Sequence, residues 1–334
     1  LSIYIITGGA GFIGSHLAET LLDAGHSVRV LDNLSTGRRE NIDPRCQFIQ
    51  GDVTDRATLD AAMQGTDGCF HLAAIASVER ANQEWVATHR VNQTGAVMVF
   101  DVARAICTAK GGLPVVYASS AAVYGDIGAE PAHEQLRPVP NTAYGADKLG
   151  CELHARVAHL VHGVPNLGLR FFNVYGPRQD PLSPYSGVIS IFARMLADGA
   201  SLTIHGDGGQ TRDFVYVSDV VAHLVAGMAH VERKRGCDVL NVCTGSAISV
   251  LDLARAMMAA QGGRSEGTRS GGRANLITHG PSRAGDIRHS VGDPAAATGL
   301  LGVAAGVTLS QGLAQTVAAL SGNRAGPAPR AVVA

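Results

Sequence analysis

This chain has little lysine. Of 27 Lys and Arg residues only three are lysines, Lys110, Lys148 and Lys234, so a lysine marks a position where arginine did not serve. The 28 Asp and Glu leave a net charge of −1. No sign predominates, which argues against partners held by bulk attraction, whether nucleic acid or an anionic membrane. No apolar run is long enough to span a bilayer. The first apolar stretch, Ile3 to Ile6, runs into Thr7-Gly8-Gly9 and reads as a strand entering a turn, without a signal-peptide layout. The six cysteines, at 46, 69, 107, 151, 237 and 243, form no CxxC pair and no disulfide-like rhythm. A reducing, cytoplasmic setting is expected. His154, His159 and His162 share one expected helix but lack further acidic or histidine partners, so a solvated face and no metal are expected there.

What is present is apolar: 46% hydrophobic residues against 16% charged, in a chain of 334 residues, enough for one large domain or two smaller ones. Short β-rich runs are expected as strands at Ile3–Thr7, Ser27–Leu31, Cys46–Gln50, Gly68–Leu72, Pro114–Ser119 and Asn166–Phe171. Between them helical patterns cover Gly11–Ala24, Arg56–Met63, Trp85–Ala109 and Tyr144–His162, with Trp85 in a packing role. Such alternation predicts βαβ units, right-handed crossovers and a doubly wound parallel sheet of Rossmann type. After Phe171 the texture changes. Prolines 177, 181 and 184 mark irregular chain. Helices are expected at Gly187–Leu196, Val217–His230 and Val250–Ala260, a strand at Leu202–His205, and a loop over Gly262–Gly272. The reading is α/β throughout. Residues 1–172 form the sheet domain, with some later segments returning to it; 173–320 form mainly a smaller domain; Ser321–Ala334 is a disordered tail by composition.

Glycines 8, 11 and 14 form a GxxGxxG turn between the first strand and a helix. They permit a tight turn and let backbone N–H groups approach a pyrophosphate at the helix N-terminus. Phe12 and Ile13 belong to the same turn. Asp32 ends the second strand, where a carboxylate would accept hydrogen bonds from an adenosine ribose and repel a 2′-phosphate, favouring NAD over NADP. Asn33 follows it. Arg38 and Arg39 lie close enough to complicate that preference, or are solvated loop charges. Asp52 and Val53 end the third strand, where adenine is expected. Leu72, Ala73 and Ala74 follow His71 with small side chains that let backbone pass near a cofactor.

Tyr144 and Lys148 are four residues apart and so share a helix face. An ammonium beside a phenol favours the phenolate, and a tyrosine tuned this way can take a proton from an alcohol. The spacing alone also fits an ordinary pair on a solvated face. In an arginine-rich chain, however, a lysine here implies a compact ammonium that a planar guanidinium cannot replace. Ser120, at the end of the fifth strand, could share a proton with Tyr144, or simply cap the strand.

Taken together, the glycine turn, Asp32, Ser120 and Tyr144-xxx-Lys148 resemble the extended short-chain dehydrogenase/reductase family. Further motifs agree: Arg170-Phe-Phe-Asn-Val-Tyr-Gly-Pro177, the run Gly206 to Asp219 with its Arg212-Asp-Phe, and Arg283-Ala-Gly-Asp286. The likeness runs from Ile3 to about Leu320 and is greatest to UDP-hexose 4-epimerases. It implies that Ser120 and Tyr144 handle the proton of the sugar 4-hydroxyl while Lys148 holds the nicotinamide ribose. Asn173, Arg212 and Arg283 would hold the diphosphate and Asp286 the uridine ribose. The chain near Thr203 and His205 would meet uracil. Asn92 would stand beside the cofactor, and Ser77 and Val188 would join the sugar-nucleotide site. The implied reaction is redox-neutral, through a transient 4-keto sugar. A homodimer is implied by analogy, through the helices Trp85–Ala109 and Tyr144–His162.

Sister enzymes share most of these motifs. Dehydratases resembling this chain carry an acid pair where it has Ala121 and Ala122, and decarboxylases a glutamate at the position of Ala122. Both rivals lose ground. A UDP-glucuronate 4-epimerase stays open, because Arg80 or Arg178 could meet a carboxylate. A non-catalytic NAD-binding regulator would be expected to lose the Tyr/Lys pair. In 4-epimerases the residue at the position of Ser290 walls the pocket where the sugar C2 substituent swings. A small serine there implies room for an acetamido group, hence UDP-GlcNAc/UDP-GalNAc interconversion alongside UDP-Glc/UDP-Gal.

Overall fold

In the computed structural model, residues 1–108, 111–180, 187–262, 277–282 and 287–322 are described. Seven parallel strands form the main sheet: β1 (Ile3–Thr7), β2 (Ser27–Asp32), β3 (Gln47–Gln50), β4 (Gly68–His71), β5 (Val115–Ser120), β6 (Asn166–Phe171) and β7 (Cys237–Val242), in the order β7-β6-β5-β4-β1-β2-β3. The order reverses between β1 and β4, so the crevice for a ligand opens at the carboxyl ends of those two strands. Six of the strands match the expected ones to within a residue at each end. β7 was not expected. It is an edge strand whose first half is only partly buried, so it lacks the continuous apolar run that marks the inner strands.

Helices cover both faces. On one side α1 (Phe12–Asp23) and α8 (Val217–Lys234) pack on Ile6, Val30, Phe70 and Val116. On the other, α2 (Arg56–Met63), α5 (Gly95–Ala105) and α6 (Ala143–His162) pack on Ile5, Leu31, Cys69 and Val115. The period-2 alternation along each strand sends neighbours to opposite layers. Leu17, Leu59, Val99 and Leu224 are fully buried in these layers, and each such side chain contributes about 1.5–3 kcal/mol.

The long helix expected over Trp85–Ala109 is continuous from Trp85 to Ala105, as α4 (Trp85–His89), a π-helical turn (Arg90–Thr94) and α5, and ends four residues before the expected limit. A short α3 (Val78–Gln83) precedes it, capped by the Ser77 hydroxyl, which accepts from the Arg80 N–H. Trp85 is 64% exposed, which corrects the packing role expected of it. A third core holds the smaller half together, where α7 (Val188–Ala197), α9 (Val250–Gly262) and α11 (Leu309–Gly322) enclose Phe192, Leu202, Phe214, Leu253 and Leu313. Between α9 and α11, α10 (Ala295–Leu301) returns to the first core. Helix α11 extends two residues into the stretch expected to be a disordered tail. Residues 323–334 and most of the loop expected over Gly262–Gly272 lie outside the described residues.

Candidate active site

A cleft of about 970 Å³ opens at the strand carboxyl ends. Gly8, Gly11, Phe12, Ile13 and Gly14 form its floor at the start of α1. Gly8 has φ +74°, and a Cβ there would come within 2.7 Å of the Ala73 backbone. At Gly14 a Cβ would strike the Gly8 carbonyl. Around Gly11, by contrast, a Cβ would meet only the Gly8 carbonyl, at 3.1 Å. Two of the glycines thus let protein approach protein, and the third leaves backbone open to the cleft. This is the cradle a pyrophosphate needs at a helix N-terminus.

Asp32 is buried at the rim. Its carboxylate accepts from the Ala10 N–H at 3.0 Å and the Leu34 N–H at 2.8 Å, which ties the glycine turn to the loop after β2. Asn33 donates to Asp52 at 2.9 Å, and Asp52 also accepts from the N–H and hydroxyl of Thr54. These partners hold the Asp52 carboxyl below its usual range despite some burial. Val53, Leu72, Ala73, Ala74 and Ser77 line the same cleft. The buried His71 ring meets the Thr7 hydroxyl at 2.8 Å, joining β1 to β4. Burial first, and the Lys148 charge second, push its pKa down to about 3, so it stays neutral.

Ser120, Tyr144 and Lys148 face the cleft from β5 and α6. The Ser120 hydroxyl accepts from the Ala122 N–H at 3.1 Å and so opens the short 3₁₀ turn Ala121–Val123. Thr142 caps α6 through the Gly145 N–H. A Cβ at Gly145 would collide with the Ala122 carbonyl, so glycine there brings the start of α6 against the turn after Ser120. Lys148 is 4% exposed. It donates to the Ala118 carbonyl at 2.9 Å, with Nζ 5.9 Å from the Tyr144 ring centre. Among the described residues no side chain hydrogen-bonds the Tyr144 hydroxyl.

Other expected site residues stand apart from this lining. Asn92, in the π turn, is buried and spends its amide on both backbone groups of Ile75, at 2.7 and 3.2 Å. It shapes the loop that lines the cleft. Asn173 donates to the Asp213 carbonyl, and the Asp213 N–H donates to the Ser290 carbonyl at 3.0 Å. Arg212 and Ser290 are register partners on short parallel strands. Thr203 and His205 lie on the strand Leu202–His205, and Val188 begins α7. Arg283 and Asp286 lie outside the described residues.

The sequence reading overlooked an ion pair at 2.8 Å between Arg38 and Asp180, two residues that both line the cleft. Arg39 stacks on Phe48 instead. Nothing local in the sequence joins Arg38 to a residue 142 positions away.

Relatives were found by sequence and by structure. The UDP-glucose 4-epimerase of Mycolicibacterium smegmatis is 35% identical over 322 residues, 94% of this chain and 96% of its own. A UDP-N-acetyl-alpha-D-glucosaminuronate decarboxylase of Bacillus cytotoxicus is 34% identical over 75% of this chain and 78% of its own. Among solved structures, the Thermus thermophilus UDP-glucose 4-epimerase in complex with NAD superposes with a TM-score of 0.84 at 33% identity, covering 96% of this chain and 99% of that one. The UDP-N-acetylglucosamine 4-epimerase of Methanobrevibacter ruminantium, in complex with UDP-N-acetylmuramic acid, gives 0.86 at 30% identity over the same shares. The model of the NAD dependent epimerase/dehydratase family matches residues 4–243. With its glycine cradle, its strand order and that match in agreement, the chain belongs to the NAD-dependent epimerase/dehydratase family.

Proposed function

We propose that the protein interconverts UDP-sugars at C4, taking UDP-GlcNAc/UDP-GalNAc as well as UDP-Glc/UDP-Gal. One observation carries this choice over the sister reactions. The turn beside Ser120 and Tyr144 is Ala121–Ala122, and the acids among the described cleft residues, Asp32, Asp52 and Asp180, belong to the end of β2, the loop after β3 and the Arg38 ion pair. A dehydration needs an acid at the leaving hydroxyl, and a 4-epimerisation does not.

NAD fits the cradle at Gly8, Gly11 and Gly14 and the rim at Asp32, and when bound it supplies the acceptor and donor of a hydride. The chain's residues supply the proton path. Tyr144 takes the O4 proton and later returns it. Ser120 hydrogen-bonds O4 and holds it near the phenol. The Lys148 ammonium stabilises the phenolate. A UDP-glucuronate 4-epimerase would need a free cation in the sugar pocket. Arg80 and Arg178 line the cleft, but each is paired with a glutamate, Glu84 at 3.0 Å and Glu19 at 2.7 Å.

Incubation with NAD and, separately, UDP-Glc, UDP-GlcNAc and UDP-GlcA, followed by NMR of the products, tests the reading. The C4 epimers of the first two are expected. Dehydrated or decarboxylated products, or turnover of UDP-GlcA alone, would overturn it.

The partner is a second copy of this chain. Trp85 and Val86 on α4 and Leu153, Val157, Leu160 and Val161 on α6 are all exposed large hydrophobics, Val86 at 83%. On α6 they recur at the intervals of one helix face, and an apolar face of this kind is characteristic of an interface. Sedimentation should give a dimer, and Leu160→Glu should give a monomer. A monomeric wild type would refute the pairing.

A further inference from the structure

On α6 the series Tyr144, Lys148 continues at the same interval to Glu152. Glu152 takes no part in the proton path above, yet it is a buried acid, its side chain 7% exposed. Its carboxylate is fully engaged. The Ser119 hydroxyl donates to Oε1 at 2.5 Å, Arg170 Nε to the same oxygen at 2.8 Å, and Arg170 Nη2 to Oε2 at 2.7 Å. Ser119 and Arg170 are register partners on β5 and β6, and Asn241 on β7 stands opposite Arg170. One row across three strands therefore carries the network. Arg170 lies 4.7 Å from the Tyr124 ring centre, Tyr124 donates to Asn241 at 2.7 Å, and Asn241 donates to the Ala132 carbonyl at 2.8 Å. Burial alone would discourage a charge on Arg170, but the Glu152 carboxylate outweighs it and raises the guanidinium pKa.

The geometry points to Glu152 as a positioning residue that, through Ser119 and Arg170, fixes the helix bearing Tyr144 and Lys148 against the strand end bearing Ser120. The inference rests on the reading of those three as the reacting set. Ala118, Ser119 and Ser120 are consecutive. The helix is tied to this stretch twice, by Lys148 on the Ala118 carbonyl and by Glu152 on the Ser119 hydroxyl. Between and below these tethers the side chains that α6 packs on β5 are those of Cys151, Ala155 and Ala158. Such small apolar side chains set the distance from helix to sheet but not the register along it, because dispersion contacts have little direction. Two polar tethers one helical turn apart resist both sliding and rotation. Asn166 on β6 donates to the Ala155 carbonyl at 2.9 Å and holds the lower part of the helix, so without Glu152 the ammonium of Lys148 would be the one remaining polar tie, among the described residues, between the upper helix and the strand end on β5.

Two variants of the full chain separate this role from mere stability. Ser119→Ala cuts the Glu152 tether to β5, the strand that bears Ser120, and leaves the Glu152–Arg170 pair to β6 intact. Its melting temperature should stay close to that of wild type, while kcat for UDP-Glc falls roughly tenfold with KM within about twofold, as expected when reacting groups are misplaced. Glu152→Leu/Arg170→Met removes both charges together, which buried pairs commonly tolerate, and should fold with kcat lowered by at least about tenfold. Folded variants with wild-type kcat, or a rise in KM alone, would overturn the proposal. Crystal structures of wild type and Ser119→Ala give a reading independent of turnover. The Tyr144 Oη to Ser120 Oγ separation should change by about 1 Å, and an unchanged separation would also overturn it. A wild type that turns over no UDP-sugar would refute the proposed function and leave that structural result to decide this one.

Discussion

Tyr144→Phe is expected to abolish nearly all turnover while the protein folds and keeps NAD. The substitution removes a single oxygen. Among the described residues that oxygen has no side-chain partner, so its loss leaves no buried group unsatisfied, and the half-buried ring still packs. Lys148 keeps its bond to the Ala118 carbonyl, and the glycine turn and Asp32 are untouched. What disappears is the proposed acceptor for the sugar proton. Loss of a general base costs about 10²–10⁴-fold in rate. Product formation measured by NMR, with the cofactor released from the denatured protein identified by chromatography, separates the two effects. Activity within about threefold of wild type would remove Tyr144 from the mechanism.

Ser290→Tyr is expected to separate the two classes of substrate. Ser290 is only partly buried, and its backbone is fixed on both sides. It pairs in register with Arg212, and its carbonyl accepts the Asp213 N–H at 3.0 Å. A tyrosine ring must therefore project from the place the serine now occupies. If that place walls the sugar pocket, the larger ligand alone is rejected, because overfilling penalises only what no longer fits. Turnover of UDP-GlcNAc should fall about 10²-fold and that of UDP-Glc no more than about threefold, a difference of a few kcal/mol typical of steric exclusion. Equal losses on both substrates would show that Ser290 does not gate the pocket, and so would a wild type that leaves UDP-GlcNAc untouched.

Much of the architecture was legible because it rests on local patterns. The five inner strands are mostly apolar, since parallel strands are covered on both faces, and the edge strand β3 still shows Phe48-Ile49 between its polar ends. The glycine turn was legible because its strand–turn–helix context is contiguous in the chain. The seventh strand was not, because Cys237–Val242 lies beyond the strand–helix alternation of the first half, and its register comes from Asn166–Phe171, some seventy residues earlier. The π turn at Arg90–Thr94 was hidden for a similar reason. There Asn92 turns its amide to the backbone of Ile75, a partner that no helical periodicity reveals.

By itself the sequence determined the chemistry available: a phenol and an ammonium on one helix face, a serine at a strand end, an open glycine turn and a carboxylate at the end of the second strand. The spacing of four puts Tyr144 and Lys148 on one helix face, and the others are read from where they stand at the ends of apolar strands, because backbone geometry repeats along each element. Only the tertiary structure decided which of these groups meet. It put Ser120 against the start of α6 through the gap at Gly145, anchored Glu152 on Ser119 and Arg170, and paired Arg38 with Asp180. Those contacts depend on the order of strands in the sheet and the path of each crossover. That order is set when separate layers bury their apolar faces together, and no short stretch of sequence contains it.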